Sequence, residues 1–227
     1  MEAMDSQAPS KFRNQKIDSG KLVLIALLAV ALLWRLVFFL EMYASPYADN
    51  LTLDSQVYHE VALAAAAGEW SHGETFFQAP LYPWILGTVY SVVGPSQTVV
   101  KLLQILLSVA SCWLIFRLAD RVFDRAVALV ALAISAVYGM SLYFANELLV
   151  VTVIVFLDLL GLDFLIRASA DGRKFLWAAA GVVFGLSVIA RPTILPFVVV
   201  VAVWIVVSGW RSEKVRTAMR EAVLFGV

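Results

Sequence analysis

KLVLIALLAVALLWRLVFFL, residues 21–40, opens on a lysine and then carries a single further charge, Arg35. A helix rises about 1.5 Å per residue, so a run of this length covers the roughly 30 Å of a bilayer's hydrocarbon. The run is too long for a signal-peptide core and no small-residue cleavage site closes it. It reads as an uncleaved anchor behind a short disordered tail, residues 1–20, with Lys11, Arg13 and Lys16. The rest of the chain has the same character. Of its 227 residues 62% are hydrophobic and 15% charged, with a mean hydropathy of +0.86. A soluble domain is nearer half apolar and a quarter charged. The fold class that follows is all-α, a polytopic transmembrane helical bundle. The formal net charge is zero, and with no basic domain or recognition motif nucleic acid is excluded as a partner. The lone Cys112 lies in an apolar run and has no second cysteine to pair with.

Downstream of the anchor, five more apolar runs are long enough to count: Thr98 to Leu118, Ala126 to Phe144, Leu148 to Ile166, Phe175 to Ile189 and Thr193 to Val207. With the anchor they give about six spans over residues 21–207. Pro80 to Gly94 is apolar but shorter, and its Tyr82, Trp84 and Tyr90 suit a helix lying in the interface. Basic residues gather at Lys11 to Lys21, Arg117 to Arg125, Arg167 to Lys174 and Arg211 to Arg220. The positive-inside rule puts all four groups in the cytoplasm if Pro80 to Gly94 does not cross. The N-terminus is then cytoplasmic, in a multi-pass protein of the inner or plasma membrane, and residues 42–97 form an outer loop carrying two interfacial helices. Residues 208–227 form a cytoplasmic segment that turns apolar again at Ala222, as the start of a truncated span in a longer protein would.

The outer loop is the one long polar interval. Between Arg35 and Lys101 there is no lysine or arginine, while Glu41, Asp49, Asp54, Glu60, Glu69 and Glu74 all fall there. Asp54 opens a helical pattern with Val57, Tyr58, Val61, Ala64 and Ala65 on one face and Gly68 as its stop. Its plain reading is an N-cap, with Leu53 and Tyr58 at the positions of a hydrophobic staple. The compatible chemical reading is a carboxylate held at the membrane edge as a general base. Arg35, Lys101 and Arg191 fall near outer helix ends, where cations are scarce and need anionic partners. Snorkelling to lipid phosphate accounts for any one of them. Three beneath an acidic loop point to an anionic ligand. Glu147 opens a span at the same level, either as a favourable acid at a helix start or as a second functional carboxylate. Asp54 and Glu147 with His59 or His72 make a set able to hold a divalent cation, so metal use is left open. Asp158 falls near mid-bilayer, where a carboxyl is costly, and reads as hydrogen-bonded between helices. Asp163 has Arg167 at i+4.

The series Asp54-Ser55-x-x-Tyr58-x-x-x-Ala62, followed by Ala79-Pro80-Leu81-Tyr82-Pro83, resembles the GT-C glycosyltransferases. The nearest branch is similar to dolichyl-phosphate-mannose–protein mannosyltransferases and bacterial aminoarabinose (lipid A) transferases. Val100-Lys101-Leu102-Leu103-Gln104, Asn146-Glu147, and Gly185-Leu186-Ser187 with Arg191-Pro192 extend the likeness over roughly Lys21 to Val207. The resemblance implies a sugar carried on a polyprenyl phosphate and transferred with inversion to an extracytoplasmic hydroxyl of a glycan, lipid or protein. It implies Asp54 as base, with Glu147 a second carboxylate. Lys101 matches the family's basic position, and Arg191 and Arg35 serve as helpers at the donor phosphate. Tyr58, His59 and Tyr82 belong to the acceptor loop. Walker, dinucleotide, Cys/His and nucleophile-elbow motifs are absent. No cytoplasmic segment is long enough for a nucleotide sugar, so a donor has to arrive through the lipid. The competing readings are a transporter or lipid-handling protein, favoured by Asp158 and the break at Arg191-Pro192, and an inactive fragment.

Overall fold

The computed structural model describes residues 19–46, 50–51, 53–70 and 79–211. The tail, His72 and the closing segment 212–227 lie outside them. Among the described residues the chain is helical throughout, with no strand: α1 (Ser19–Tyr43), α2 (Asp54–Ala66), α3 (Leu81–Val93), α4 (Gln97–Val122), α5 (Arg125–Val137), α6 (Gly139–Asn146), α7 (Val151–Asp171), α8 (Lys174–Ala190), a 3-10 turn (Pro192–Ile194) and α9 (Leu195–Arg211). By length and composition α1 and α4 are able to cross a membrane, and α5 with α6 makes a third if the bent pair is one span. This is an integral membrane helical protein. Six crossings require α7, α8 and α9 to cross as well. α3, at 13 residues, reaches only about 20 Å at 1.5 Å per residue, too short to cross. It packs instead against α2, and the two form a helical pair in the loop.

Local chemistry sets the helix ends. The Ser96 hydroxyl accepts from Val99 N at 3.4 Å to start α4, and Asp124 Oδ1 accepts from Ala126 N and Val127 N at 2.8 and 2.9 Å to start α5. Gly172, at φ 65°, closes α7 in the left-handed conformation. α4 is the central element, touching α1, α5, α6 and α7, while α7 lies along α8. Close approach there depends on Gly161, where a Cβ would sit 2.8 Å from the Phe184 ring. Gly87 plays the same part between α3 and α2, with Ala65 Cβ 2.7 Å from where its own Cβ would be.

The bundle has two chemically distinct ends. At one, Arg117 near the end of α4 and Arg167 near the end of α7 both pair with Asp163, at 3.1 and 3.5 Å. The Arg167 pairing matches the i+4 spacing, whereas Arg117 comes from a different helix. At the other end the start of α4, the junction of α6 and α7, the end of α8 and the α2–α3 pair meet in one apolar cluster that includes Tyr58, Tyr82, Tyr90, Val100, Leu148 and Ala190. The basic groups Arg117–Arg125 and Arg167–Lys174 thus share an end, as their charge led us to expect.

Three expectations about the bundle need correction, the first two of them linked. Ala126 to Phe144 is not one continuous span: the chain bends by 51° between α5 and α6, where Tyr138 is extended at φ −66°, ψ 110°. Such a break frees the last carbonyls of α5 inside the bundle, and each needs a donor. Arg35 supplies it. Its guanidinium donates to Ala136 O at 3.1 Å and to Ser135 O at 3.5 Å, as well as to Ala31 O, Ser108 Oγ, Ser141 Oγ and Cys112 Sγ. Arg35 is therefore 0% exposed in the middle of the bundle and not at an outer helix end. The third correction is to α7, which starts at Val151, so Glu147 occupies the α6–α7 linker and does not open a helix. Asp158 does find its hydrogen bond between helices, accepting from the buried Ser187 hydroxyl on α8.

Candidate functional site

The site lies at the end of the bundle away from Arg117 and Asp163. α2 carries Asp54 as its first helical residue, and the N-cap position belongs to Leu53, at φ 52°, ψ −123°, with no side-chain cap bond. The sequence reading of Asp54 as the cap is thereby corrected. The staple is not made either, because Leu53 is 86% exposed. A positive φ on leucine is uncommon, and here it turns the chain so that Asp54 stands on the exposed rim of the α2 start. Tyr58, one turn on, packs edge-to-face on Tyr82 of α3 with ring centroids 4.9 Å apart.

Tyr82 anchors the next step. Its hydroxyl donates to Gln104 Oε1 of α4 at 2.6 Å. The Gln104 amide in turn donates to Glu147 O at 2.6 Å and Ala145 O at 3.3 Å. One buried glutamine, 2% exposed, thus ties the loop helices to the α6–α7 linker and fixes where Glu147 leaves the bundle. Lys101 precedes Gln104 by three positions on α4 and so lies on the same helix face. On the loop side His59 Nδ1 and Tyr90 Oη are 2.9 Å apart.

Charges at this end act on one another. Burial raises the Glu147 carboxyl above its ordinary value, and the Lys101 ammonium pulls it back part of the way. Burial also raises Tyr58, with the Asp54 charge adding to the effect and Arg191 opposing it. Tyr82 is raised well above the usual phenol range, by burial first and then by Tyr90, Tyr58 and Glu147, and burial pushes Tyr90 up to about 12. The tyrosines are accordingly neutral hydrogen-bonding groups. Arg191 ends α8 in an extended conformation, exposed, just before the Pro192 turn.

The structure thus gathers Asp54, Tyr58, His59, Tyr82, Lys101, Glu147 and Arg191 at one end. It does not bring Arg35 there. Ser108, which Arg35 bonds, lies seven residues along α4 from Lys101, about 10 Å deeper at 1.5 Å per residue. Arg35 instead lines a separate cavity of about 380 Å³ with Ser108, Cys112, Ser141, Phe144 and Thr152. Among the described residues no three His, Cys, Asp or Glu side chains are grouped so that they could hold a metal ion. Gln104 stood in the Val100–Gln104 motif and Tyr90 among the interfacial aromatics, but the sequence put neither in the site. The signal for Gln104 was an amide three residues after a lysine in an otherwise apolar run.

Residues 77–227 match the family model described as dolichyl-phosphate-mannose-protein mannosyltransferase. The matched region takes in Tyr82, Lys101, Gln104, Glu147 and Arg191 and leaves out Asp54, Tyr58 and His59. No curated protein and no solved structure matches the chain.

Proposed function

The chain belongs to the dolichyl-phosphate-mannose-protein mannosyltransferase family of GT-C-type membrane glycosyltransferases, and from that premise we propose that it moves a sugar from a polyprenyl-phosphate donor to an extracytoplasmic hydroxyl with inversion. Acceptor chemistry, whether glycan, lipid or protein, is left as a class. The observation that carries the reading is the meeting, at one end of the bundle, of two carboxylates with two cations around a buried tyrosine–glutamine relay.

In this mechanism the acceptor oxygen attacks the anomeric carbon from the face opposite the phosphate. The bond from that carbon to the phosphate oxygen breaks as the new C–O bond forms, and the hydroxyl proton passes to the Asp54 carboxylate. General-base assistance of this kind contributes about 10²–10⁴-fold. The departing phosphate gains charge, and Lys101 and Arg191 are the cations placed to steady it. Glu147, half-buried beside Lys101, orients the acceptor. Its raised proton affinity suits a group that holds a hydrogen bond to a hydroxyl. Tyr58, His59 and Tyr82 shape the acceptor side of the groove. The protein is then a multi-pass enzyme of the inner or plasma membrane with its basic end in the cytoplasm.

The test is a choice of donors. Full-length protein in proteoliposomes is given a polyprenyl-phosphate-linked sugar or the matching nucleotide sugar, with a mixed acceptor extract. The expected result is transfer from the lipid donor alone, with release of polyprenyl phosphate, and a raised donor KM in Lys101→Gln. Transfer from the nucleotide sugar would overturn the proposal.

A further inference from the structure

At the end of the bundle opposite the candidate site, a second charged cluster has no part in the mechanism above. Asp163 on α7 is 1% exposed and lies between two guanidiniums, Arg117 from α4 and Arg167 from its own helix. One carboxylate faces two cations, so the cluster keeps a net positive charge. Each arginine engages Asp163 through a single nitrogen, Nη2 of Arg117 and Nη1 of Arg167. The two side chains are 24% and 28% exposed, so neither arginine is closed off by its pairing with Asp163. They are also held in place from below: the Arg117 guanidinium lies 4.6 Å from the Trp113 ring centre, and that of Arg167 lies 5.9 Å from the Phe164 ring. Trp113 is 39% exposed on the bundle's outer surface, as suits a ring at the depth where headgroups meet hydrocarbon.

A surface arginine that only snorkels keeps a loose side chain and a hydrated charge. These two are fixed on one buried acid and beside aromatic rings, and they come from two helices that pack together, a few residues short of the helix ends. We infer that this arginine pair is a specific seat for the phosphate of an anionic phospholipid in the leaflet on that side, held by Arg117 and Arg167 together. Basic pockets between membrane helices are suited to such headgroups, and a guanidinium fork fits a phosphate's paired oxygens. The inference stands apart from the proposed transfer reaction and survives its failure.

The experiment uses the full chain in neutral detergent, titrated with fluorescent phosphatidylglycerol, phosphatidylcholine and inorganic pyrophosphate. Saturable binding of phosphatidylglycerol over phosphatidylcholine is expected. It should weaken about tenfold in Arg117→Gln and in Arg167→Gln, and less than twofold in Arg173→Gln, which removes an exposed charge from the adjoining loop. Equal weakening in all three variants would mean that lipids sense bulk charge alone, and would overturn the seat. Equal binding of phosphatidylcholine, or displacement of the lipid by pyrophosphate at matched concentration, would also overturn it. If the glutamine variants do not fold, Arg117→Lys keeps the charge while losing the fork. Weaker binding by that variant supports the seat and unchanged binding overturns it.

Discussion

Replacing Arg35 with methionine separates two roles that the sequence left open for it. In the structure the guanidinium makes four bonds to oxygen acceptors on other helices, to Ser108 Oγ on α4, to Ser135 O and Ala136 O at the end of α5, and to Ser141 Oγ on α6, besides a weaker one to Cys112 Sγ on α4. Interhelical hydrogen bonds in membranes average about 0.6 kcal/mol each, so four give about 2.4 kcal/mol. Ala136 O would lose a donor that the break at Tyr138 prevents the helix itself from supplying, and an orphaned buried carbonyl costs about 1–3 kcal/mol. Removing a buried charge returns part of this, which leaves a net loss of about 2–4 kcal/mol. Reversible unfolding of the purified chain in bicelles measures the difference. Arg35→Lys, with three donors in place of five, should fall between. An Arg35→Met protein as stable as its parent would refute the hub. If that protein also lost transfer, Arg35 would return to the donor site.

Three further outcomes follow from other parts of the structure. Gly87→Ala puts a Cβ 2.7 Å from Ala65 Cβ and should destabilise the docking of α2 on α3 by about 1–3 kcal/mol; Ala65→Gly in the same chain should restore it, read as recovery of the unfolding midpoint. Glu147 has its proton affinity raised on folding, so the folded state binds more protons than the unfolded one. Its contribution is present in full below the unfolded-state value and is lost as pH rises through the folded one. Glu147→Gln should therefore flatten the stability profile just above the ordinary carboxylate range, and an unchanged profile would remove the desolvation argument. Tyr82→Phe should strip Gln104 Oε1 of its donor and cost about 1–3 kcal/mol, with Tyr90→Phe, on a different hydrogen bond, as a milder comparison.

Class and most of the helix order were readable because they depend on run length and charge placement. The spacing of Lys21 to Leu40 fixes a crossing helix whatever its neighbours, and the basic groups identify one end of the bundle. The bend at Tyr138 was not readable, because Ala126 to Phe144 stays apolar across it and the only local hint is Gly139. What holds the bend open is Arg35, a hundred residues earlier in sequence. The same limit governed Arg35 itself: counting residues from the helix end gave a depth, but the acceptors that surround it come from three other helices. Asp54 was correctly placed at a helix start but one position off its cap role, because Leu53 adopts a positive φ that no propensity assigns to leucine. Lys101 and Glu147 were singled out separately. Their shared electrostatics comes from the α6–α7 linker folding back over the start of α4, which Gln104 secures and which no local pattern shows.

The central claim is that a carboxylate on the outer loop takes the acceptor's proton, and the most direct measurement is the single-turnover rate of sugar transfer from polyprenyl-phosphate donor in proteoliposomes of full-length Asp54→Asn. The account predicts a rate at least about 100-fold below the parent, with donor binding and protein level unchanged. A variant that transfers at nearly the parental rate would contradict it.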